Sequence, residues 1–179
     1  MTAPVAHILS GRAHVYGDNV DTDRIIPGKY TKTLDKRQLA AHVLEDLDPA
    51  FRVRVRVGDF VVAGDNFGCG SSREQAPIAL QAAGVSAILA RSFAAIFYRN
   101  AINIGLPLLE IPDYEIVTGD LVHVDLDAST ATLERTGTVY TARALPPVMV
   151  AILRAGGLVP YLAAHGDFVV PDRSPTANA

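Results

Sequence analysis

The sequence predicts an α/β domain with a partly parallel sheet core, flanking helices and additional antiparallel strands. Three observations carry this prediction. Residues 60–90 run strand, glycine-rich loop, helix, strand, which within one sheet is a right-handed parallel βαβ unit. Residues 85–90 are largely apolar without alternation, as a strand covered on both faces requires. Beyond residue 120 the chain breaks into short apolar stretches divided by turn residues, the pattern of antiparallel strands.

The elements follow in order. Residues 6–15 read as a strand that enters the turn-rich run Tyr16-Gly-Asp-Asn-Val-Asp-Thr-Asp23, whose Asp and Asn side chains bond nearby amides. Residues 34–47 form an amphipathic helix with Leu39, Val43, Leu44 and Leu47 on one side, and Pro49 follows its end. In Phe51-Arg-Val-Arg-Val-Arg-Val57 strict alternation predicts a half-exposed strand with Arg52, Arg54 and Arg56 facing out. Gly58-Asp59 turns the chain into a strand at 60–63. After the glycine loop, a helix at 76–83 stops at Gly84, and a second at 93–103 stops at Gly105 before a strand at 106–111. Strands at 121–126, 131–133 and 138–142 come next. A last helix spans 147–155, stopped by Gly156-Gly157, and the tail after about residue 171 is expected to be flexible. All 179 residues are read as a single domain.

Composition narrows the function. Hydrophobic residues make up 49% and charged residues 20%, while Trp is absent and aromatics are only 7%, so the core is expected to be built mainly from Ala, Val, Ile and Leu. A net charge of -3 without a basic run lacks the footprint that nucleic-acid binding needs. No stretch approaches the ~20 apolar residues of a membrane span, and no signal segment is read at the N-terminus. A cytoplasmic protein without nucleic-acid or membrane partners is expected. The single cysteine, Cys69, excludes an internal disulfide and a zinc or iron–sulfur site built from this chain's thiolates alone.

Chemistry concentrates in Gly64-Asp-Asn-Phe-Gly-Cys-Gly-Ser-Ser-Arg-Glu74. Its glycines let a ligand approach the main chain, and Ser71, Ser72 and Arg73 bring hydroxyls and a planar cation, a set suited to carboxylate or phosphate. Three standard motifs fail here. A P-loop from Gly64 meets Cys69 and Gly70 where Gly and Lys are needed. A dinucleotide fingerprint from Gly68 meets Arg73, and a nucleophile elbow from Gly70 meets Glu74. Ser71 and Glu74 also read as a capping box without chemistry. Pro77 moves the start of regular helix towards Gln75 and leaves Ser71 to Glu74 as an irregular, amide-rich loop.

Gly68-Cys-Gly-Ser-Ser-Arg-Glu-Gln75, with Asp18-Asn-Val-Asp-Thr-Asp-Arg-Ile-Ile-Pro27 upstream and the segment Arg91 to Pro107 downstream, closely resembles the small-subunit family of isopropylmalate isomerases, the swivelling domain of the aconitase superfamily. The resemblance covers roughly residues 7 to 165. It implies a swivelling β/β/α domain and a hydro-lyase that interconverts 2- and 3-isopropylmalate in leucine biosynthesis. It also implies that a separate large subunit carries a [4Fe-4S] cluster, that Cys69 is no ligand, and that this chain alone is inactive. By the same resemblance Ser71 is the catalytic base, Ser72 and Arg73 hold a substrate carboxylate, and Asp23 lies near the reacting centre.

The chemistry suits these residue types. Removing a proton beside a carboxylate and expelling hydroxide needs a base, stabilisation of negative charge and a Lewis acid. In the resemblance, substrate choice depends on the loop Gly28-Lys-Tyr-Thr-Lys-Thr33, where Lys32 leaves room for a further carboxylate as in homoaconitase, although the default for such a side chain is a solvated lysine. Homoaconitase and citraconate- or methylmalate-type hydro-lyases are thus the close alternatives. A non-catalytic anion-binding module is the alternative of another class. No histidine partner for Ser71 is read: His7, His14, His42, His123 and His165 are scattered and taken as structural or exposed.

Overall fold

The computed structural model describes residues 7 to 167, so the tail beyond residue 171 lies outside the described part. Strands β1 (Ile8–Val15), β2 (Phe60–Ala63), β3 (Ala87–Ala90) and β4 (Leu108–Glu110) pair in parallel, with Ala13 opposite Phe60 and Phe60 opposite Ala87. Strands β5 (Leu121–Asp125), β6 (Thr130–Leu133) and β7 (Thr138–Thr141) extend the other edge of β1 as an antiparallel meander. The result is one seven-stranded sheet in the order β4-β3-β2-β1-β5-β6-β7.

Both predicted halves of the sheet are present, and the strand periodicity explains the missing alternation in β2 and β3. Val61, Ala63, Ile88 and Ala90 point to one face, under α2 (Lys36–His42), α4 (Gln75–Ala82) and α5 (Ala95–Asn103). Phe60, Val62, Ala87 and Leu89 point to the other, where they meet Val122, Val124, Ala131 and Leu133. No helical residue enters this second cluster, so the sheet curls over its own concave face. The loops that follow β1, β2, β3 and β4 all leave at one edge, where open parallel sheets hold their ligands.

Several elements differ from the sequence reading. The alternating segment 51–57 is no strand: Phe51–Arg54 is a helical turn, α3. Phe51 is fully buried and Val55 packs on the core, whereas Val53 and Val57 are 73% and 95% exposed, so only part of the apolar face that a strand would bury finds a core. The arginines are used instead against nearby acceptors. Arg54 pairs with Asp48, and Arg56 Nη1 donates to the carbonyls of Val53, Arg54 and Val55 at the end of the turn.

The helix expected at 34–47 contracts to α2. Asp35 caps it by accepting from the Arg37 amide at 2.9 Å, and Leu44 at φ +55° breaks away to donate to the Ile25 carbonyl. Thr22–Ile25 makes a short helix, α1, capped by Asp21. At the C-terminal end, α6 (Pro147–Arg154) is followed by an unforeseen helix, α7 (Leu158–His165). Gly157, at φ +125°, does more than stop α6: a β-carbon there would lie 2.7 Å from the Asn103 carbonyl oxygen, so the turn packs backbone to backbone on the end of α5. No single helix among the described residues is long and apolar enough to cross a membrane.

The start of β2 is tied to β1 by a buried carboxylate. Asp59 accepts from His14 Nε2 at 2.9 Å, the Arg56 amide at 2.8 Å and the Arg12 amide at 3.1 Å. Burial opposes its ionisation, but these hydrogen bonds outweigh burial and hold the carboxyl below its ordinary range. The lowered value stabilises the fold above the unfolded pKa of about 3.9, and that contribution disappears as pH falls through the folded value. Asp59→Asn is therefore expected to cost roughly 2 kcal/mol at pH 7 in urea denaturation. The variant's deficit should shrink below about pH 4, the acid window of an ordinary Asp; a pH-independent deficit would contradict the assignment.

Candidate active site

Because β1 and β2 are parallel neighbours, their following loops emerge side by side, and main-chain hydrogen bonds continue to join them past the strand ends. Gly64 N donates to Gly17 O, Asn19 N to Asp65 O at 2.8 Å, Gly68 N to Val20 O at 2.8 Å and Thr22 N to Cys69 O at 2.9 Å. The Asp18 carboxylate accepts from the Asp65 amide at 2.8 Å, which fixes the first turn of the glycine loop.

The middle of that loop is anchored from below. Phe67 is fully buried against Phe93 and Phe97; its amide donates to Ser92 O, and its carbonyl accepts from the Ala94 amide. Gly68, at φ +79°, passes so close to Phe97 that a β-carbon would lie 2.2 Å from the ring. With Phe67 and Gly68 pinned, the tip at Ser71 and Ser72 is presented to solvent.

The sequence-predicted site residues fall into one cluster with a single outlier. The Thr22 hydroxyl donates to the Ser71 carbonyl at 2.9 Å and fixes the backbone of the expected base. Arg73 Nη1 pairs with Asp23 Oδ1 and also donates to the Ile26 carbonyl at 3.2 Å. The Arg73 side chain is only 19% exposed against 60% for Asp23, so the guanidinium is the fixed member of the pair. Among the described residues, the hydroxyls of Ser71 and Ser72 make no hydrogen bond, and the amides of Ser72 and Arg73 donate to no other group. The outlier is Lys32, exposed in the turn after the 3-10 segment Gly28–Tyr30, with no ion pair among the described residues.

The capping-box reading of Ser71 and Glu74 does not hold. Helix α4 starts at Gln75 with Glu74 at its N-cap, and no side chain caps it. The hydroxyl of Ser71 is thereby left for a ligand. Thr22 was not singled out by sequence, although it stands beside Asp23 in the upstream motif; a fold-dependent contact to a carbonyl leaves no composition signal. The histidines are engaged elsewhere, His14 with Asp59, His7 with Asp127, His42 with Glu45 and His123 with Glu134.

This donor set does not fit an iron–sulfur cluster. The chain has a single thiol, and no group of three His, Cys, Asp or Glu side chains among the described residues is placed to hold a metal. What the arrangement can do is bind an anion: a fixed guanidinium, two open hydroxyls and open amides converge on one edge of the sheet.

Comparison with known proteins identifies the family. A family model of the aconitase C-terminal domain matches residues 47–114. The 3-isopropylmalate dehydratase small subunit of Moorella thermoacetica is 50% identical over 158 residues, spanning 87% of this chain and 95% of the relative. The chain belongs to the 3-isopropylmalate dehydratase small-subunit family. Within the range of its relatives is the 2,3-dimethylmalate dehydratase small subunit of Eubacterium barkeri, 53% identical over 86% of this chain and 96% of its own. The crystal structure of 3-isopropylmalate dehydratase from Methanocaldococcus jannaschii superposes with a TM-score of 0.85 at 47% identity, over 89% of this chain and 95% of that one. The family's small subunits are hydro-lyase components of the aconitase type, and the name implies a large-subunit partner.

The two glycines of the loop separate conformational strain from lack of space. Gly70 has φ +88° but a β-carbon there would meet nothing closer than 3.5 Å, unlike Gly68. Gly70→Ala is expected to lower stability by roughly 1–2 kcal/mol from left-handed strain alone. Gly68→Ala should cost about 3 kcal/mol or more, as overpacking against Phe97 is added. Urea denaturation of the two variants checks this, and equal losses would contradict it.

Proposed function

We propose that this chain is the small subunit of a 3-isopropylmalate dehydratase, acting in the cytoplasm with an iron–sulfur-bearing large subunit to interconvert 2- and 3-isopropylmalate in leucine biosynthesis. The observation that supports it best is the cluster of Ser71, Ser72 and Arg73 with Asp23, at the sheet edge where parallel strands end. In this reading the cluster on the large subunit supplies the Lewis acid for the leaving hydroxyl. This chain's residues do the rest.

Arg73 and Ser72 hold a carboxylate of the substrate; the guanidinium is pre-oriented because Asp23 and the Ile26 carbonyl already fix one of its nitrogens. Ser71 Oγ takes the proton from the carbon beside that carboxylate in the forward half-reaction and returns one in the reverse. A serine oxygen is a weak base, so its anionic form needs nearby positive charge, which the open amides and Arg73 offer. Asp23 acts through Arg73 and keeps that cation turned towards the carboxylate. Lys32, exposed after the Gly28–Tyr30 turn and outside the cluster, is the side chain offered to the distal group of a longer substrate.

A second reading has a specific observation behind it. The Eubacterium barkeri relative named for 2,3-dimethylmalate is as similar as those named for 3-isopropylmalate. A related hydro-lyase substrate, including homoaconitate or citraconate, is therefore the alternative, and steady-state kinetics of the assembled pair on all four acids discriminates them. Highest kcat/KM on 2-isopropylmalate is expected; no turnover of any of the four would sink the reading.

In the same assay, Ser71→Ala is expected to lower kcat by about 10²–10⁴, the usual weight of a general base, with KM little changed. Arg73→Lys should mainly raise KM, by about tenfold, because lysine cannot reproduce a planar two-point contact. Unchanged kinetics in both variants would favour a loop that binds anions without catalysing.

A further inference from the structure

Residues 26–31 form a wall beside Arg73. The Ile26 carbonyl accepts from Arg73, and Gly28 lies so close that a β-carbon on it would be 3.4 Å from Arg73 Nη2 and 3.6 Å from Asp23 Oδ1. Gly28 is thus beside Arg73 Nη2, a guanidinium nitrogen without a hydrogen bond among the described residues. The 3-10 turn Gly28–Tyr30 closes it, with Tyr30 N donating to Pro27 O at 2.9 Å and Thr31 N to Gly28 O at 3.2 Å.

Contacts on two sides hold this turn. On one side Tyr30 stacks on His42 at 3.6 Å between ring centres, His42 pairs with Glu45 at 2.8 Å, and Lys29 reaches the same carboxylate at 3.1 Å. These residues tie the turn to the end of α2. On the other side Gln75 Nε2 donates to the Thr31 carbonyl at 3.0 Å, across the wall and directly above Lys32 in sequence. Gln75 is the first residue of α4, next but one to Arg73. The segment that presents Ser71, Ser72 and Arg73 is therefore joined to residues 26–31 at two points, by Arg73 at the Ile26 carbonyl and by Gln75 at the Thr31 carbonyl.

We propose that Gln75 is a positioning residue that sets substrate discrimination: it touches no substrate, but it locks the 28–31 turn at a fixed distance from Arg73 and so sets the space for the group beyond the bound carboxylate. The inference rests on the functional reading above. The α2 contacts hold Lys29 and Tyr30, and the Thr31 amide and hydroxyl bond within the turn to the Gly28 carbonyl, so among the described residues Gln75 supplies the hydrogen bond that ties Thr31 to the segment carrying Arg73. Chemistry at the proton-transferring centre is then untouched, since Thr22 holds Ser71 and Asp23 holds Arg73 independently of Gln75.

The test uses Gln75→Met, which keeps length without a donor, and Gln75→Glu, which sets an acceptor against the Thr31 carbonyl. Hydrogen exchange on the free chain is expected to speed about fivefold at the Tyr30 and Thr31 amides, the weight of one neutral hydrogen bond, with α4 amides unchanged. In the assembled pair, the ratio of kcat/KM for 2-isopropylmalate over 2,3-dimethylmalate should shift about fivefold through KM, while kcat on the preferred acid stays within about twofold. Unchanged exchange, or an unchanged ratio in a pair that turns over both acids, overturns the assignment of Gln75. A wild-type pair inactive on both acids removes the functional reading instead, whatever the exchange result.

Discussion

The parallel pairing of β1 with β2 is the constraint from which the site follows. Because it continues as main-chain hydrogen bonds through Gly17, Asn19, Val20 and Thr22, two segments far apart in sequence are fastened along their lengths before any side chain acts. The meeting of Asp23 with Arg73 and of Thr22 with Ser71 is a consequence of that register. A partly exposed ion pair contributes little to stability on its own. Here its effect is orientation: it keeps the Arg73 cation in place, where the proposed function has it hold a substrate carboxylate.

The glycine loop depends on the same scaffold from beneath. Phe67 seats it in the core under β2 and β3, and the close pass of Gly68 over Phe97 fixes where the chain turns outward. Rigidity at those two residues permits exposure at the next few. An anion site on an otherwise mobile tip would have to be ordered at each binding event, and a preformed one does not.

How much of this was legible in the sequence varies by element, for physical reasons. The βαβ core, the meander and the start of α4 at Gln75 were readable because each rests on local signals: unbroken apolar runs, turn residues and Pro77. Segment 51–57 was misread because alternation marks a strand only when one face finds a core, and Val53 and Val57 find none. Helix α7 was missed because Gly156-Gly157 stops one helix and, by close backbone packing on α5, also starts another. Ser71, Ser72, Arg73 and Asp23 were named from their motifs, but no local pattern shows that Asp23 pairs with Arg73 or that Gln75 holds Thr31. Those contacts exist only once β1 and β2 lie side by side.

In the proposed reading, Ser71 as base and Arg73 as carboxylate holder form half of a dehydratase site, and the other half comes with a large-subunit partner. The most direct measurement titrates this chain into a fixed amount of cluster-loaded large subunit and follows turnover of 2-isopropylmalate. Turnover that rises from background and saturates at equimolar chain is expected, with no activity from this chain by itself. Robust turnover by the isolated chain, or an undiminished plateau when Ser71→Ala replaces it, would contradict the division of the site between two subunits.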